Sequence, residues 1–423
     1  MGSFSRRTFL KTTASLAAAT AVSSSARGEA NDRIGIGIIG CRNQGVVVSN
    51  QLHATEQFDI LALCDCDTAM SAQAVDRLEG KLHSECREVQ DFRELLDDPR
   101  IDAVVVATPD HWHALMTCLA LDAGKHVLVE KPASYNIGDG KAMVAMAKKY
   151  PELAVQVGTM QRSGQHFIDA YEFIREGNLG KIGFARAVTI HDRGPLAVIP
   201  DSDPPESMDY DLWVGPAPYR PFNEHRCHYE WHWIYEYGTG EMGNWGAHWV
   251  DIARWYLGHT YPEIVSAQGF NYRDDIREWP DTQTVLYQYP DCTLVWEMRM
   301  WTPYGAGGGL GNGCEFSGEK GSLRISRGGW TFLPRGEEPV EHGGSDMGTP
   351  HMRNFAEAIR GKEEPNSNIE DGHVCANLCH LGNIASLVNR PLKFDSEAET
   401  IVGDAEAQAY EWREYRDPWK LPI

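Results

Sequence analysis

The sequence predicts an α/β chain in two parts: an N-terminal domain on a parallel sheet, then a C-terminal α+β domain with a mostly antiparallel open sheet. Three observations carry this. From Arg33 to about Tyr150, short apolar runs alternate with helical patterns, as in a parallel sheet covered on both faces. A glycine-bearing turn, Gly40-Cys41-Arg42-Asn43-Gln44-Gly45, separates the first apolar run from the first helical pattern. Beyond Gly158 the texture changes to one helix and then longer alternating segments, which suit an antiparallel sheet with one face covered.

In order, the first part is expected to place strands at residues 34–39, 58–64, 103–107, 126–129 and 154–157, with helices near 46–53, 69–79, 112–123 and 138–149 between them. This is the layout of a Rossmann dinucleotide-binding domain. The second part opens with a helix at 165–175 and continues with strands at 183–191, 264–271, 284–289 and 293–300. Helices near 245–256 and 372–388 are expected to cover that sheet. The expected division is a signal at 1–30, the Rossmann domain at 33–153 and the α+β domain at 154–423.

The signal assignment rests on Ser5-Arg6-Arg7-Thr8-Phe9-Leu10-Lys11, followed by a mildly apolar run and small residues suited to cleavage. That is a twin-arginine export signal, and it predicts a periplasmic or other extracytoplasmic protein. No later stretch is long and apolar enough to span a bilayer. A formal net charge of −21 with no cluster of Lys and Arg argues against nucleic-acid partners. The 10 cysteines show no Cys-x-x-Cys pair, and Cys41, Cys64 and Cys66 lie in or beside apolar strands. Such thiols behave as small hydrophobes, and no disulfide is expected.

The turn at residues 40–45 follows a strand and opens a helix, the setting in which backbone N–H groups hold a pyrophosphate. Gly40, Arg42, Asn43 and Gly45 are therefore candidate cofactor contacts, although Arg42 stands where a full G-x-G-x-x-G has its second glycine. Asp65, 20 residues beyond Gly45 at the end of the second strand, is placed to accept from ribose hydroxyls. With Asp67 beside it and no Arg or Lys closely following, it favours NAD over NADP. Thr108, Pro109 and His113, at the end of the apolar run 103–107, are expected to wall the same cleft. Two histidines in His111-Trp112-His113 without a third ligand read as a polar loop rather than a metal site.

With Val129-Glu130-Lys131-Pro132 at the next strand end, these motifs resemble the glucose–fructose oxidoreductase/inositol dehydrogenase (Gfo/Idh/MocA) family, over essentially the whole mature chain. The resemblance implies that Glu130 and Lys131 lie at the nicotinamide and that Lys131 relays the proton of the reacting hydroxyl. It also implies that Gln156-Val157-Gly158-Thr159-Met160-Gln161-Arg162-Ser163 is the crossover, with Gln161 and Arg162 facing the cleft. A homo-oligomer through the C-terminal sheet is implied too. The family commonly has aspartate four residues before its histidine in a motif matched here by residues 238–251; this chain has Asn244. An amide cannot accept a proton, so His248 becomes the expected base beside Lys131, with Asp251 fixing its tautomer. On an α-helix Asn244, His248, Asp251 and Trp255 share one face.

The segment from His225 to Tyr237 is rich in aromatics and histidines. His228, Trp231, Trp233 and Tyr237 are expected to join Arg162, Asn244 and His248 in a carbohydrate pocket. A zinc site from His225, His228 and His232 is set aside, since hydride transfer needs no metal. The glycine-rich stretch from Tyr304 to Gly311 is followed by strand-like sequence, so it reads as a loop and not as a phosphate cradle. Cys375 and Cys379, one helical turn apart, read as core.

The expected function is hydride transfer between NAD, carried tightly bound, and a CH–OH group of a sugar, polyol or glycoside. Free NAD is scarce outside the cytoplasm, which keeps two other readings open. One is a redox-assisted glycosidase, lyase or epimerase that recycles its NAD. The other is a carbohydrate-binding protein without chemistry.

Overall fold

Five apolar runs and one short polar segment become the strands of one parallel sheet. In this computed structural model, which describes residues 33–306 and 309–423, they are β1 (Ile34–Ile39), β2 (Phe58–Cys64), β3 (Arg87–Val89), β4 (Ala103–Val106), β5 (His126–Val129) and β6 (Val155–Val157), in the order β3-β2-β1-β4-β5-β6. The expected export signal and Gly307 and Gly308 of the glycine-rich stretch lie outside the described residues. β1 and β4 are buried along their whole length, which is why they read as unbroken apolar runs: both faces of a parallel sheet are covered. Helices α1 (Asn43–Ala54), α2 (Thr68–Arg77), α3 (Asp110–Asp122) and α4 (Ile137–Lys149) provide that cover. The side chains of Asp67 and Asn136 cap α2 and α4 by accepting from Ala69 and Asp139 N–H, satisfying donors that the first helical turn leaves free.

One strand of this sheet was not legible in the sequence, whereas the strand expected at 154–157 is present as β6. β3 is a polar three-residue edge strand with no apolar run to announce it. β6 pairs with β5 although it lies past the expected boundary at 153, and Val157 N–H donates to Ser367 O, deep in the second part of the chain.

A short helical turn (Met160–Ser163) and helix α5 (Gln165–Arg175) lead into the second sheet. Its strands are β7 (Ile182–Ile190), β8 (Ile264–Phe270), β9 (Thr282–Gln288), β10 (Thr293–Arg299), β11 (Asn312–Gly318), β12 (Gly321–Ser326), β13 (Gly329–Pro334) and β14 (Val340–Gly343). They run in the order β14-β13-β12-β11-β7-β10-β9-β8. Every pairing is antiparallel except β7 with β10. Strands β11 to β14 escaped the sequence reading because glycines such as Gly313, Gly321 and Gly329 interrupt the alternation that marks a half-buried strand.

Inward residues Tyr287, Trp296, Phe316 and Leu323 pack with Trp249 and Tyr256 of α6 (Ala247–Leu257) into the second core. On the outer face Arg186 pairs with Glu315 at 2.6 Å and Glu297 at 3.6 Å. The chain then returns to the first domain: α7 (Gly348–Ile359) stacks Phe355 on Phe58 of β2 at 6.2 Å. The long α8 (Ile369–Val388) sends Ile369 and Ala376 into the core beneath β6 and α4. A single cut in the sequence cannot describe a chain that closes back on its own beginning.

All ten cysteines are free thiols. Among the described residues no helix is long and apolar enough to cross a membrane.

Candidate active site

At the carboxyl edge of the parallel sheet lies a cavity of about 330 Å³, the place where open α/β sheets bind ligands. Its floor is the turn after β1. Gly40 has φ +91, and a Cβ there would lie 2.4 Å from the Ala107 carbonyl oxygen, so the turn is as tight as backbone allows and excludes any side chain. Gly45 does a different job. A Cβ on it would lie 1.9 Å from Gly40 O, so it permits α1 to seat against the turn and does not itself reach the cavity wall.

Gly40, Arg42, Asn43, Asp65, Thr108, Pro109, Glu130, Lys131, His228, Trp231 and Asn244 all line the cavity. Asp65 Oδ2 accepts from Cys41 N–H at 2.8 Å and Oδ1 from Asp67 N–H at 3.0 Å. Burial pushes its carboxyl pKa up, and those two N–H bonds oppose the rise. Arg42 does not bar the groove: its guanidinium stacks on the Tyr229 ring, 5.2 Å from the centroid.

These groups fit a dinucleotide. The start of α1 presents backbone N–H groups for phosphate, and the Asp65 oxygens keep lone pairs for ribose hydroxyls. The buried Thr108 Oγ1 has no partner of its own, an open valence that a bound hydroxyl or amide would close.

The far wall and roof come from the second part of the chain. After β7 the backbone crosses to the end of β2, where Thr68 N–H donates to Ser207 O at 2.9 Å and Asp209 N–H to Cys66 O at 2.8 Å. His228 Nε2 lies 3.0 Å from Asp67 Oδ2. Leu212, Trp213, His228, Tyr229, Trp231 and His232 thus cover the groove. Asp67 is buried between its helix cap and His228, so phosphate repulsion at this end falls to Asp65, not to both aspartates.

Lys131 marks the meeting of the two domains. Its Nζ donates to Asn244 Oδ1 at 2.8 Å and to Asn244 O at 3.0 Å. Burial lowers its pKa, against the pull of Glu130, Asp110 and Glu241 and with the help of Arg327. Asn244 Nδ2 in turn donates to Glu241 Oε2 at 3.2 Å. Glu241 is 1% exposed, and burial raises its pKa. Arg193 closes the chain, 2.9 Å from Glu241 Oε1 and 2.7 Å from the Tyr229 hydroxyl.

Several expected contacts lie elsewhere. His113 is buried away from the cavity wall; its ring nitrogens sit 2.7 Å from Pro132 O and 2.9 Å from Thr108 O, tying two strand-end loops together. Arg162 does not face the cleft. It forms a two-pronged pair with Asp251 at 2.7 and 2.8 Å in the interior and reaches the half-buried Asp371 at 2.9 Å. Asp251 is thereby spent and does not touch His248.

Trp233 and Tyr237 are wholly buried: Arg277 lies over the first ring at 4.8 Å, and the second packs edge-on to Trp213. The aromatic segment is thus roof and core more than a sugar platform. Its histidines take separate partners, His225 near Ala197 O, His228 near Asp67 and His232 near Tyr229 O. Among the described residues the one close group of metal-ligand types is His259, Asp291 and Cys292 near the surface.

His248 and Gln161 border the site without lining the cavity. Gln161 Oε1 accepts from Arg327 at 3.3 Å, and the Gln161 Nε2 and His248 Nδ1 atoms are buried without partners. Burial holds His248 far below the usual imidazole pKa, with Arg327 and Lys131 adding to the effect. Of the face expected over 244–255, His248, Asp251 and Trp255 keep α-helical spacing, whereas Asn244 lies in the π-helical turn Met242–Gly246 that precedes the α-helix. Such a turn re-aims side chains and is frequent at functional sites. Glu241, three residues before Asn244 and on the same helical face, is the site residue that the sequence reading passed over.

Three family profiles match the chain. An oxidoreductase-family NAD-binding Rossmann fold matches residues 34–159, the oxidoreductase-family C-terminal alpha/beta domain matches 196–421, and a twin-arginine translocation signal matches 3–23. A glycosyl hydrolase family 109 protein of Saccharopolyspora erythraea is 29% identical over 217 residues, 45% of this chain and 46% of that protein. The NAD(+)-dependent scyllo-inositol 2-dehydrogenase of Bacillus subtilis is 33% identical over 128 residues, 29% of this chain and 37% of that enzyme. The chain thus aligns with about half, or less, of the curated relatives it matches.

Among solved structures, aldose–aldose oxidoreductase from Caulobacter crescentus shares the fold with a TM-score of 0.68 at 21% identity, over 86% of this chain and all of that one. Levoglucosan dehydrogenase, solved with NADH and levoglucosan, does so with a TM-score of 0.66 at 19% identity, over 85% of this chain and 99% of that one. With both domain profiles satisfied and the second spanning more than half of the sequence, this chain belongs to the Gfo/Idh/MocA oxidoreductase family, as an NAD-binding member exported by the twin-arginine route.

Proposed function

We propose that the protein oxidises a secondary alcohol of a sugar, polyol or glycoside at the cavity between its domains, with Lys131 as the acid/base group. NAD, when bound in the groove, supplies the hydride acceptor. The balanced reaction converts R₂CH–OH and NAD⁺ to R₂C=O, NADH and one proton. The observation that carries the reading is the Lys131 amine, held at the end of β5 on the cavity wall and bonded across the domain junction to Asn244.

Both oxygens of Asn244 accept from this nitrogen. A neutral amine has two hydrogens, so Asn244 satisfies both and leaves the lone pair free for a substrate hydroxyl proton. The lowered pKa makes the neutral form accessible. Once protonated, the third ammonium hydrogen faces the new carbonyl oxygen and can return for the reverse reaction. His248, neutral because it is buried, is assigned to a second substrate hydroxyl. Asn43, Thr108 and Glu130 are assigned to the cofactor.

Replacing Lys131 with Met tests the assignment. Turnover should fall by about 10²- to 10⁴-fold, the usual worth of a positioned acid/base group, while NAD binding survives. Turnover retained in K131M would refute it.

A second reading, in which NAD stays bound and is restored within each cycle so that a glycoside is cleaved or epimerised, draws on one observation. The groove is roofed by residues 207–232, pinned to the end of β2 through Thr68, Asp67 and Cys66, an arrangement that retains a cofactor. The name of the glycosyl hydrolase relative points the same way. Cleavage of an aryl glycoside with catalytic NAD and no build-up of NADH would select this reading; stoichiometric NADH would select the plain dehydrogenase.

A further inference from the structure

Asn244 stands where an aspartate would pair directly with the lysine, yet a carboxylate is present one turn earlier. We infer that Glu241 is a positioning residue for Lys131, acting through the Asn244 amide, so that this chain reads its carboxylate through a neutral spacer. The inference rests on the proposed acid/base role of Lys131.

The geometry is a directed chain. Glu241 Oε2 accepts only from the NH₂ end of the Asn244 amide, at 3.2 Å, which forces the oxygen end toward Lys131 at 2.8 Å. Without a carboxylate on that side, the amide could turn and present NH₂ to the amine, a donor facing a donor. The other carboxylate oxygen is held by Arg193 at 2.9 Å, and Arg193 by the Tyr229 hydroxyl at 2.7 Å. Glu241 cannot swing away, and it is essentially inaccessible to water. Burying a carboxylate at a domain junction is costly unless its partners hold it. The π-helical turn at Met242–Gly246 is the backbone feature that separates Glu241 from Asn244.

The chemical consequence concerns which form of the amine is favoured. A carboxylate in direct contact stabilises ammonium strongly, whereas an amide oxygen accepts from amine and ammonium alike. Set back behind Asn244, Glu241 orients the base without locking a proton on it.

Other charges face the same nitrogen. Glu130 follows β5, Asp110 opens α3, and both favour ammonium; Arg327, from the turn between β12 and β13, opposes it. The imidazoles of His232 and His248 feel its charge from the second domain. Glu241 itself is faced by Arg193, Lys131, Asn244 and His232, whose Nε2 is 3.9 Å away.

The test compares E241Q, N244D and the double variant E241Q/N244D in the full exported protein. The first readout needs no substrate: the pH at which Lys131 becomes reactive to an amine-acylating reagent, read by mass spectrometry of its peptide. E241Q removes a negative neighbour, so the midpoint should move to lower pH. N244D puts a carboxylate on the amine, so it should move to higher pH, by about one unit or more. In turnover, E241Q should lower kcat by about tenfold or more with KM little changed. The double variant should recover most of that loss at higher pH, because the carboxylate has only changed place.

A purely structural role would lower the melting temperature of E241Q and leave both acylation midpoint and kcat alone; that result overturns the inference. So do midpoints that move in the same direction in E241Q and N244D. Should E241Q fail to fold, the double variant compared with N244D decides, since the inference requires the added Glu241→Gln change to lower the midpoint below that of N244D, and equal midpoints overturn it. If the acylation shifts appear but wild-type protein reduces no NAD with any sugar, the positioning chain stands and the proposed function falls.

Discussion

Two clusters of buried charge lie at the junction of the domains, and they differ in one respect that matters. Around Arg162 the guanidinium meets Asp251 and Asp371, and Arg254 completes the set at 2.6 Å from Asp371. Charge there is paired with charge, away from the cavity. Around Lys131 the amine meets only neutral oxygens, the carboxylate is one residue removed, and His248 Nδ1, Gln161 Nε2 and Thr108 Oγ1 are left without partners. A closed cluster ties two domains together; an open one is unfinished until something binds. Position in the sequence does not separate them, since Arg162 follows Gln161 directly and Asp251 lies three residues beyond His248.

If this contrast is right, breaking each cluster should damage a different property. The largest effect is on the open one: K131M should lose up to about 10⁴-fold in turnover while its melting temperature and NAD affinity stay near those of the parent. Next comes the closed one. R162M removes the two-pronged partner of buried Asp251, leaving it only Arg254 at 3.6 Å, and should cost about 3 kcal/mol of stability, read by denaturant or thermal unfolding, with the fraction that remains folded still turning over. Loss of turnover in R162M without loss of stability would return Arg162 to the substrate site.

A smaller effect is expected at the roof. H228A removes the partner of Asp67 across the groove and should speed NAD release by about tenfold, the equivalent of 1.4 kcal/mol, with kcat unchanged. Unaltered release would mean that the roof does not hold the cofactor.

The sequence shows the parallel sheet well because its central strands are buried on both faces and read as unbroken apolar runs. It shows the cofactor floor well because Gly40, Asp65 and Lys131 each stand at a strand end, and strand ends converge in this fold. It fails where position depends on contacts made across the chain. Asp251 shares a motif region with the cavity residue Asn244, Arg162 adjoins Gln161 at its border, and only the fold reveals that Arg162 and Asp251 bond each other. Trp233 and Tyr237 carry the aromatic character of a sugar platform but are spent on packing the roof. Glu241 shares the helical face of Asn244 and His248 by spacing, but its burial and its bond to the Asn244 amide are visible only in the fold. The return of α7 and α8 to the first domain, seen in Phe355 on Phe58, left no local trace at all.

In the proposed function the Lys131 amine closes the inner end of the NAD groove. Amine acylation followed residue by residue, with and without NAD, tests it without knowledge of the substrate. Bound NAD should protect Lys131 strongly and leave an exposed lysine such as Lys362, far more open with a side chain 62% exposed, unaffected. Equal labelling of Lys131 in the presence and absence of saturating NAD would contradict the account.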